Sequence, residues 1–558
     1  MANTLPTYWR VLQSRSPAEP LAEVLLRSRH RDPDKFFSFD YQKGIHDPFL
    51  FRHMSLAVSR IKTAVENQEK IMIAGDYDLD GISGTATLLD FFRYIRFPVL
   101  YKLPHRVHDG YGLNAATVVE AKKNKVSVII TVDNGISCLS EILMAQSLGI
   151  DVIITDHHTI PAQIPNAFAI LHPKIEEETY PDADLTGSGV AYKFATALAK
   201  TFLPAAEAEN YCKWLLDLAT LGTIADMGPL TGENRQIVHY GLQIMDKQRR
   251  PGLKQLLAVS GHKDPRCLAE TVGFKLGPRL NASGRMADAG LSVQLLMATT
   301  ELEAEDLALQ IERLNTERKV VAEQTFLVAD QIIQKGNIDD AVLIANSENF
   351  HPGVIGLVAG KLAERYQRPI IMLERRPDKV VGSARSIPQI DLMEALNDLK
   401  PFFLKYGGHA QAAGFSVAIE QETPFITALR ERFQAFLPLP ARELVLDTDL
   451  YVDDISIATH QTLDQFEPFG IANPKPLFFM GAIEVIAVKP LGSDQKHWKL
   501  DLKERGSGKT FEAVAFNTDR TAVQGTLDLG VRLGINTWNG ISKPQLIIEH
   551  LQPSSGSL

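Results

Sequence analysis

The sequence contains few cysteines and no long uninterrupted run of hydrophobic residues. Its three cysteines, Cys138, Cys212 and Cys267, form no Cys-x-x-Cys pair, so neither a disulfide framework nor a zinc ribbon is indicated. No apolar segment approaches the roughly 20 residues that a membrane-spanning helix needs. The first residues also lack the apolar core of a signal peptide. These absences predict a reduced, cytoplasmic protein that is not inserted in a membrane.

An excess of positive charge is absent as well. The chain has 58 lysine and arginine residues against 67 acidic ones, for a net charge of −9. A protein that coats nucleic acid usually has a basic surface, so the charge argues mildly against that class. It is compatible with an enzyme that has a local basic track, and with acidic residues that bind metal.

At 558 residues the chain is too long for one core, and three or four domains are expected. Alternating strands and helices predict a doubly wound parallel sheet in the first half. A charged stretch without Gly or Pro, residues 300–335, predicts a long helix that bridges two lobes. The fold class is therefore α/β, with two α/β lobes joined by a long helix and followed by a β-barrel. The predicted domains are an N-terminal segment 1–45, a catalytic lobe 46–235, a helical connector 236–338, a second lobe 339–437 and a barrel 438–558.

The segment AGDYDLDGISG, residues 74–84, places Asp76, Asp78 and Asp80 at alternate positions before a glycine. Three carboxylates at this spacing repel one another unless a cation lies among them. The pattern also opens the calcium loop of an EF-hand, which needs an entering helix and a glutamate at its twelfth position. The twelfth position here is Thr87, and the entering segment KIMIAG has strand character, so the EF-hand is rejected. A solvated acidic turn and one wall of a catalytic metal site remain.

Two further predicted strands of the same lobe end in polar residues. VIITV is followed by Asp133, and VIIT by Asp156, His157 and His158. Open α/β sheets bind ligands beyond the carboxyl ends of their strands, so these groups are expected in one place. Asp226, at the end of a helix of small residues, could join them. Carboxylate and imidazole ligands suit manganese or magnesium, and the number of carboxylates suggests two ions.

Each of these signals is weak by itself. Asp133, before Asn134 and Gly135, could equally cap a helix, and a single histidine is more often structural than a ligand. Their convergence in one predicted lobe favours a metal site.

The segments GDYDLDG, TVDNGI, TDHHTIP and LGTIADMGPL resemble, in order, the four motifs of the DHH phosphoesterase superfamily. The resemblance continues through KLGPRLNASGRM, HPGVIGLVAGKLAERY, GSARS and YGGHAQAAGF to FEPFGIANPKP and NTWNG. It implies a DHH lobe, a smaller DHH-associated lobe and an OB-like barrel. It also implies a metal-dependent exonuclease that degrades single-stranded DNA from the 5' end to mononucleotides, in DNA repair and recombination.

The resemblance assigns roles to individual residues. The implied metal ligands are Asp76, Asp78, Asp80, Asp133, His157 and Asp226. The implied catalytic residues are Asp133, His157, His158 and Asp226. Asp133 would bridge two ions, either Mn²⁺ or Mg²⁺, and His158 would face the phosphate. Related pyrophosphatases have a histidine where this chain has Ala74, so Asp76 or water must fill that position.

A single strand must also be held along its backbone, by basic groups and by surfaces on which bases stack. The predicted substrate-binding residues are Arg106, Tyr111, Arg279, Asn281, Arg285, Ser383, Arg385 and His409. Solvated loops and plain turns are the alternatives from composition alone. The barrel aromatics are expected mainly in its core: Trp498, Phe511, Phe516 and Trp538.

Two other functions stay open at this point. A DHH phosphodiesterase for short oligoribonucleotides or cyclic dinucleotides would end after the second lobe, so the barrel favours longer strands. A catalytically silent replication scaffold would have lost ligands, and only Ala74 departs from the pattern. The expected partners are single-stranded DNA and, with it, a helicase and a single-strand-binding protein; the expected state is a monomer.

Overall fold

The structure is a computed structural model that describes residues 7–106, 108–492, 496–538 and 540–554. The described chain forms two compact units. The first contains Asp40–Pro440 and Gly470–Asn473. The second contains Ala441–Phe469 with the described parts of Pro6–Phe39 and Pro474–Leu558. Among the described residues, no helix is both long enough and apolar enough to cross a membrane.

The N-terminal elements are divided between the two units. They are a strand β1 (Thr7–Gln13) and three helices, α1 (Leu21–Ser28), α2 (Pro33–Phe36) and α3 (Tyr41–Gly44). Asp32 and Asp40 cap the two short helices, since each carboxylate accepts hydrogen bonds from backbone N–H groups of the first turn. The prediction of one separate segment 1–45 is wrong, because β1 pairs in parallel with a strand that begins at Arg442, in the second unit.

The catalytic lobe contains a parallel sheet covered by helices. Its elements are α4 (Met54–Glu66), β2 (Lys70–Ala74), α5 (Leu79–Tyr94), β3 (Leu100–Lys102), α6 (Ala115–Lys123), β4 (Val126–Val132), α7 (Leu139–Ser147), β5 (Asp151–Thr155), β6 (Ala169–Leu171) and α8 (Gly187–Phe202). The strand order is β3-β2-β4-β5-β6, and every neighbouring pair is parallel. The central strands are almost entirely apolar because both faces of the sheet are buried. The predicted doubly wound sheet is confirmed.

The order of these strands locates the ligand-binding edge. After β2 the chain adds β3 on one side and then crosses to add β4 on the other. The carboxyl ends of β2 and β4 therefore border the topological switch point, where open α/β sheets form their binding crevice.

Helices connect the two lobes. They are α9 (Ala205–Trp214), α10 (Leu216–Ala225), α11 (Gly232–Asp246), α12 (Pro251–Val259), α13 (Ala269–Thr271), a π-helical turn (Val272–Leu276), α14 (Gly277–Met286), α15 (Gly290–Met297) and α16 (Glu301–Lys335). The 35-residue α16 packs on α12, α14 and α15, and farther along on the second lobe. Thr300 caps its N-terminus by accepting a hydrogen bond from the backbone N–H of Glu303. The predicted long helix is confirmed.

The second lobe is a mixed sheet with helices. Its elements are β7 (Leu343–Ser347), α17 (Ile355–Tyr366), β8 (Ile370–Arg375), β9 (Lys379–Arg385), α18 (Leu392–Asn397), β10 (Phe403–His409), β11 (Ala412–Ala418) and α19 (Glu422–Gln434). The strand order is β10-β11-β9-β8-β7, with only β7 and β8 parallel. Ser383 and Arg385 lie on β9, and His409 ends β10.

The second unit is a small barrel. Its elements after β1, α1 and α2 are β12 (Arg442–Asp449), α20 (Ile457–Asp464), β13 (Phe478–Leu491), β14 (His497–Glu504), β15 (Thr510–Ala515), β16 (Thr526–Trp538) and β17 (Ile541–Pro553). The order β13-β14-β15-β17-β16 closes on itself because β16 also pairs with β13. Strands β12 and β1 extend the sheet from β13. The result is a five-stranded closed barrel of the OB type.

The barrel aromatics are mostly internal, as expected. Trp498 is buried and its Nε1 donates to the carbonyl of Thr518 at 2.7 Å. Phe511 packs against the barrel core, whereas Phe516 is exposed. The side chain of Trp538 lies outside the described part of the structure.

Candidate metal centre and substrate cavity

Two of the three aspartates after β2, Asp78 and Asp80, are held in place by backbone N–H groups. Asp78 is the N-cap of α5, and its Oδ1 accepts from the N–H groups of Asp80 and Gly81. The Asp80 carboxylate accepts from the N–H groups of Gly187 and Ser188, at 2.7 and 2.9 Å, at the N-terminus of α8. Both carboxylates therefore lie at helix N-termini, where negative charge is stabilised.

Asp133 ends β4 in a left-handed backbone conformation, with φ of 62°. Its N–H donates to the carbonyl of Thr155, and its carbonyl accepts from the phenol of Tyr111 at 2.8 Å. A Cβ on Gly187 would lie 2.5 Å from the Asp133 side chain, so a glycine is required there. These contacts aim the carboxylate toward the groups that follow the neighbouring strands.

The ligand atoms converge on one small volume. His157 Nε2 lies 3.1 Å from Asp133 Oδ1, and 3.7 Å from both Asp80 Oδ2 and Asp226 Oδ2. Three overlapping groups have their possible ligand atoms within 4.8 Å of one another: Asp80, His157 and Asp226; Asp133, His157 and His158; Asp76, Asp78 and Asp133. All six predicted metal ligands are thus brought together. Overlapping groups that share Asp133 and His157 match the geometry of a two-ion site.

The bonding of these atoms tests whether a cation fits. Both carboxylate oxygens of Asp76, Oδ1 of Asp133 and Nε2 of His157 are buried and have no hydrogen-bond partner. Leaving such atoms unsatisfied is costly, and a divalent cation would satisfy them all. Asp76 forms one of the possible ligand groups together with Asp78 and Asp133. The residues present fit divalent metal ions.

The electrostatics of the cluster agree. Burial, and then the neighbouring charge of Asp78, raises the pKa of Asp76 to about 8. Burial and the charge of Asp80 raise the pKa of Asp226 to about 8 as well. Burial lowers the pKa of His157 to about 3, so its imidazole is neutral, which is the form that binds metal. A cation would relieve the repulsion that raises these carboxyl pKa values.

Asp156 is a functional residue that the sequence prediction did not assign. Its carboxylate accepts from the N–H groups of Ile136 and His157 and from His158 Nδ1, at 2.7 to 2.9 Å. Burial alone would raise the pKa of Asp156, but the bond from His158 lowers it below its ordinary value. The pKa of His158 is raised to about 9 by this bond, against the effect of burial. The Tyr111 phenol lies 2.9 Å from the same His158 nitrogen. The position of Asp156 directly before His157 and His158 is the sequence signal that could have indicated this role.

Basic side chains face the carboxylates across a cavity of about 320 Å³. Arg106, Arg285, Tyr111, His158 and Asn281 line it. The Arg106 guanidinium stacks on the Tyr77 ring at 4.0 Å, and its Nε is buried without a partner. Burial, and then the charge of Arg106, lowers the pKa of Arg285 to about 9. Crowded cations beside a cluster of carboxylates indicate a site for an anion that binds both.

The second lobe adds groups to the same region. Arg385 Nη1 donates to Ser383 Oγ at 3.2 Å and to the carbonyl of Ala384. Burial, and then the charge of Arg106 in the catalytic lobe, lowers the pKa of Arg385. Partial burial, and then the charge of His158 in the catalytic lobe, lowers the pKa of His409.

Arg279 is a correction to the sequence prediction. Its buried guanidinium pairs with Glu312 on α16, with Nε 2.5 Å from Oε2, and also donates to the carbonyl of Lys275. Arg279 faces α16 because it lies about 240° around α14 from Arg285, which faces the cavity. Asn281 does line the cavity, although its Oδ1 accepts from the N–H of Leu79 and so also supports the metal-binding loop.

Three family models match the chain. The DHH family N-terminal domain matches residues 70–223, the DHHA1 domain 339–435 and the RecJ OB domain 446–550. A curated relative, the single-stranded-DNA-specific exonuclease RecJ of Bacillus subtilis, is 36% identical over 561 residues, covering 97% of this chain and 69% of that protein. The chain belongs to the RecJ family. The RecJ of Escherichia coli is 33% identical over 521 residues, with 89% of this chain and 90% of that one covered.

Solved RecJ structures share the whole architecture. The RecJ of Thermus thermophilus in complex with Mn²⁺ matches with a TM-score of 0.84 and 26% identity, over 99% of this chain and 80% of that one. Its Mg²⁺ complex matches with a TM-score of 0.77. The two α/β lobes and the OB barrel are therefore the RecJ fold.

Proposed function

We propose that this chain is a single-stranded-DNA-specific exonuclease that hydrolyses the strand from its 5' end to mononucleotides, using two Mn²⁺ or Mg²⁺ ions. The observation that supports this most is the set of unpartnered carboxylate and imidazole atoms at the sheet edge, facing a cavity lined by arginines. The RecJ relatives are named single-stranded-DNA-specific exonucleases, and solved RecJ structures are complexes with Mn²⁺ or Mg²⁺. Its place in DNA repair and recombination is part of the same proposal.

The chain's own residues would perform the following tasks. Asp76, Asp78, Asp80, Asp133, His157 and Asp226 would hold the two ions. When bound, such ions stabilise negative charge on the phosphoryl oxygens and activate water as a nucleophile. His158, protonated through its bond to Asp156, would place positive charge against the phosphate beside the ions. Tyr111 would keep Asp133 and His158 in a fixed relation.

The arginines would hold the strand. Arg106, Arg285 and Arg385, with Ser383 and His409, would bind phosphate groups, since guanidinium forks match phosphate oxygens. The cavity of about 320 Å³ is at the lower end of small-ligand pockets, so it has room for a nucleotide at the end of a strand. Exonuclease action agrees with the names of the relatives, and the 5' polarity rests on the motif resemblance.

Two other functions are less well supported. A silent scaffold would lack ligands, whereas all six are present and convergent. A phosphodiesterase for oligoribonucleotides or cyclic dinucleotides would not need the OB barrel, which the RecJ OB model matches. An enzyme specific for single strands needs other proteins to open duplex DNA, so we also propose that it acts with a helicase and a single-strand-binding protein. We propose in addition that it is a monomer in the cytoplasm.

End-labelled strands test the proposal. A 5'-labelled strand should yield labelled mononucleotide from the start of the reaction, while a 3'-labelled strand should shorten gradually. Both reactions should need Mn²⁺ or Mg²⁺ and stop with a chelator, and Asp133→Asn should be inactive under all conditions. Release of label first from the 3' end would contradict the polarity. Faster hydrolysis of a dinucleotide than of a long strand would favour the phosphodiesterase.

A further inference from the structure

An exposed aromatic ring lies on the turn that leads into the cavity-lining helix α14, and it has no role in the site described above. Phe274 is 78% exposed, against 49% for Phe516 of the barrel and 37% for Phe49. A phenylalanine ring held in water forgoes the burial that usually stabilises it. Single exposed apolar residues are common on protein surfaces, so the position of this one decides what it means.

The segment that presents Phe274 is unusual. It is the π-helical turn Val272–Leu276, a conformation that is rare and is often found at functional sites. Val272 and Leu276, at its two ends, are fully buried in the core of the connector. The turn is thus anchored at both ends, while Phe274 between them is directed away from that core.

The turn is linked to cavity-lining residues in two ways. It leads directly into α14, which contributes Asn281 and Arg285 to the cavity. It also packs against the last turn of α10, where a Cβ on Gly273 would lie 3.7 Å from Ile224 Cγ2. Ala225 and Asp226, the next residues after Ile224, line the cavity.

A second exposed apolar side chain follows the same helix end. Met227 is 64% exposed and has a left-handed backbone, with φ of 59°, directly after the metal ligand Asp226. Methionine contacts aromatic surfaces readily because its side chain is flexible and polarisable. Two exposed apolar side chains therefore lie on segments that continue into cavity-lining residues, and the cavity lining itself is mostly polar and charged.

We propose that Phe274 is a stacking platform for a base of the bound strand at the mouth of the metal cavity, with Met227, at the end of α10, as a second apolar contact. This inference rests on the proposed function. In that proposal the arginines bind phosphate groups, and no residue has yet been assigned to the bases. Aromatic rings suit this task since every base has a π-face, which gives affinity without sequence preference. The expected substrate is therefore a single strand with its bases present, and an abasic strand of the same length should bind with lower affinity.

The experiment compares two strands of equal length, oligo(dT) and the same phosphodiester backbone with abasic tetrahydrofuran units. Phe274→Ala should raise KM on oligo(dT) about 5-fold or more, and change KM on the abasic strand less than about 2-fold. Phe274→Trp should restore KM on oligo(dT), because a larger ring also stacks. Leu302→Ala is the matched control, since Leu302 is 79% exposed on α16 and should leave both KM values unchanged.

The outcomes are separable from the exonuclease itself. An unchanged KM on oligo(dT) for Phe274→Ala, or an equal rise on both strands, would overturn the stacking platform. If the unsubstituted protein cleaves neither strand, the proposed exonuclease is wrong. In that case the binding of both strands is measured by fluorescence anisotropy for the unsubstituted protein and for Phe274→Ala. A selective loss of oligo(dT) binding in the variant would support the stacking platform, and the absence of a selective loss would overturn it.

Discussion

His157 Nε2 lies 3.1 Å from Asp133 Oδ1, and both atoms are buried without a hydrogen-bond partner. A neutral imidazole could donate to the carboxylate at this distance if its proton were on Nε2, but the geometry does not form that bond. Two atoms with lone pairs that face the same space are arranged as ligands of one cation. This pair joins the groups that follow two neighbouring strands, so it is the centre of the site.

The first prediction concerns Asp133, which is common to two of the three ligand groups. Asp133→Asn keeps a side chain that tolerates the left-handed backbone but removes the charge. Nuclease activity should fall at least about 100-fold, since loss of a two-ion clamp costs several kcal/mol of transition-state stabilisation. In thermal unfolding, Mn²⁺ should raise the Tm of the unsubstituted protein more than that of the variant. An active variant with an unchanged response to Mn²⁺ would contradict the assignment.

The second prediction concerns pH. The folded protein holds the proton of Asp76 up to a pKa of about 8, against an ordinary value of 3.8. Between those values the folded state binds more protons than the unfolded chain, so this group makes the metal-free protein less stable as pH rises from about 4 to 8. In EDTA, the urea midpoint of the unsubstituted protein should fall over this range relative to Asp76→Asn. Mn²⁺ at pH 8 should reverse the loss, and a relative rise in EDTA would contradict the raised pKa.

The third prediction concerns the Tyr111 phenol, which contacts the Asp133 carbonyl and His158 Nδ1 at 2.8 and 2.9 Å. Tyr111→Phe removes both contacts and keeps the ring. The rate kcat should fall about 10-fold with little change in KM, because the phenol positions the reacting groups and the strand is bound elsewhere. Tyr101→Phe is a control at a partly exposed tyrosine outside the cavity lining. A rise in KM at constant kcat would instead make Tyr111 a strand contact.

The fourth prediction concerns Arg385 and Arg279, both of which the sequence analysis predicted as substrate-binding residues. Arg385→Ala should raise KM for single strands about 10-fold or more and leave the Tm unchanged, since it removes a phosphate contact. Arg279→Ala should lower stability by about 3 kcal/mol with KM nearly unchanged, because it leaves Glu312 without its partner in a mostly buried pair. Steady-state kinetics and urea unfolding of both variants provide the test. The reverse pattern would restore Arg279 as a substrate residue.

The fifth prediction concerns duplex DNA. We expect the cavity of about 320 Å³ to admit one strand and not a paired end, so single-strand preference should be steric and need no base recognition. Blunt duplexes should resist digestion, and a single-stranded 5' overhang should restore it. Equal rates on blunt duplex and free strand, without a helicase, would show that the cavity opens far wider than the structure indicates.

The two α/β lobes, the long helix and the barrel could be predicted from the sequence, and the family motifs picked out the six side chains that the structure brings together. Strands and helices show in the spacing of apolar residues, which is local information. Asp78, Asp133 and His157 follow buried strands or begin helices, and parallel strands bring their carboxyl ends to one edge. Their convergence could therefore be predicted without knowledge of tertiary contacts, and the family motifs supported their assignment to a metal site.

Tertiary contacts were needed to see which arginines reach the cavity and which strand the N-terminal β1 pairs with. Arg279 and Arg285 share one short motif, yet α14 turns the first toward Glu312 and the second toward the cavity. Strand β1 pairs with residues more than 400 positions later, and the exposure of Phe274 depends on what packs around its turn. Such facts arise from contacts between segments distant in the chain, and no local spacing of residues encodes which segments will meet.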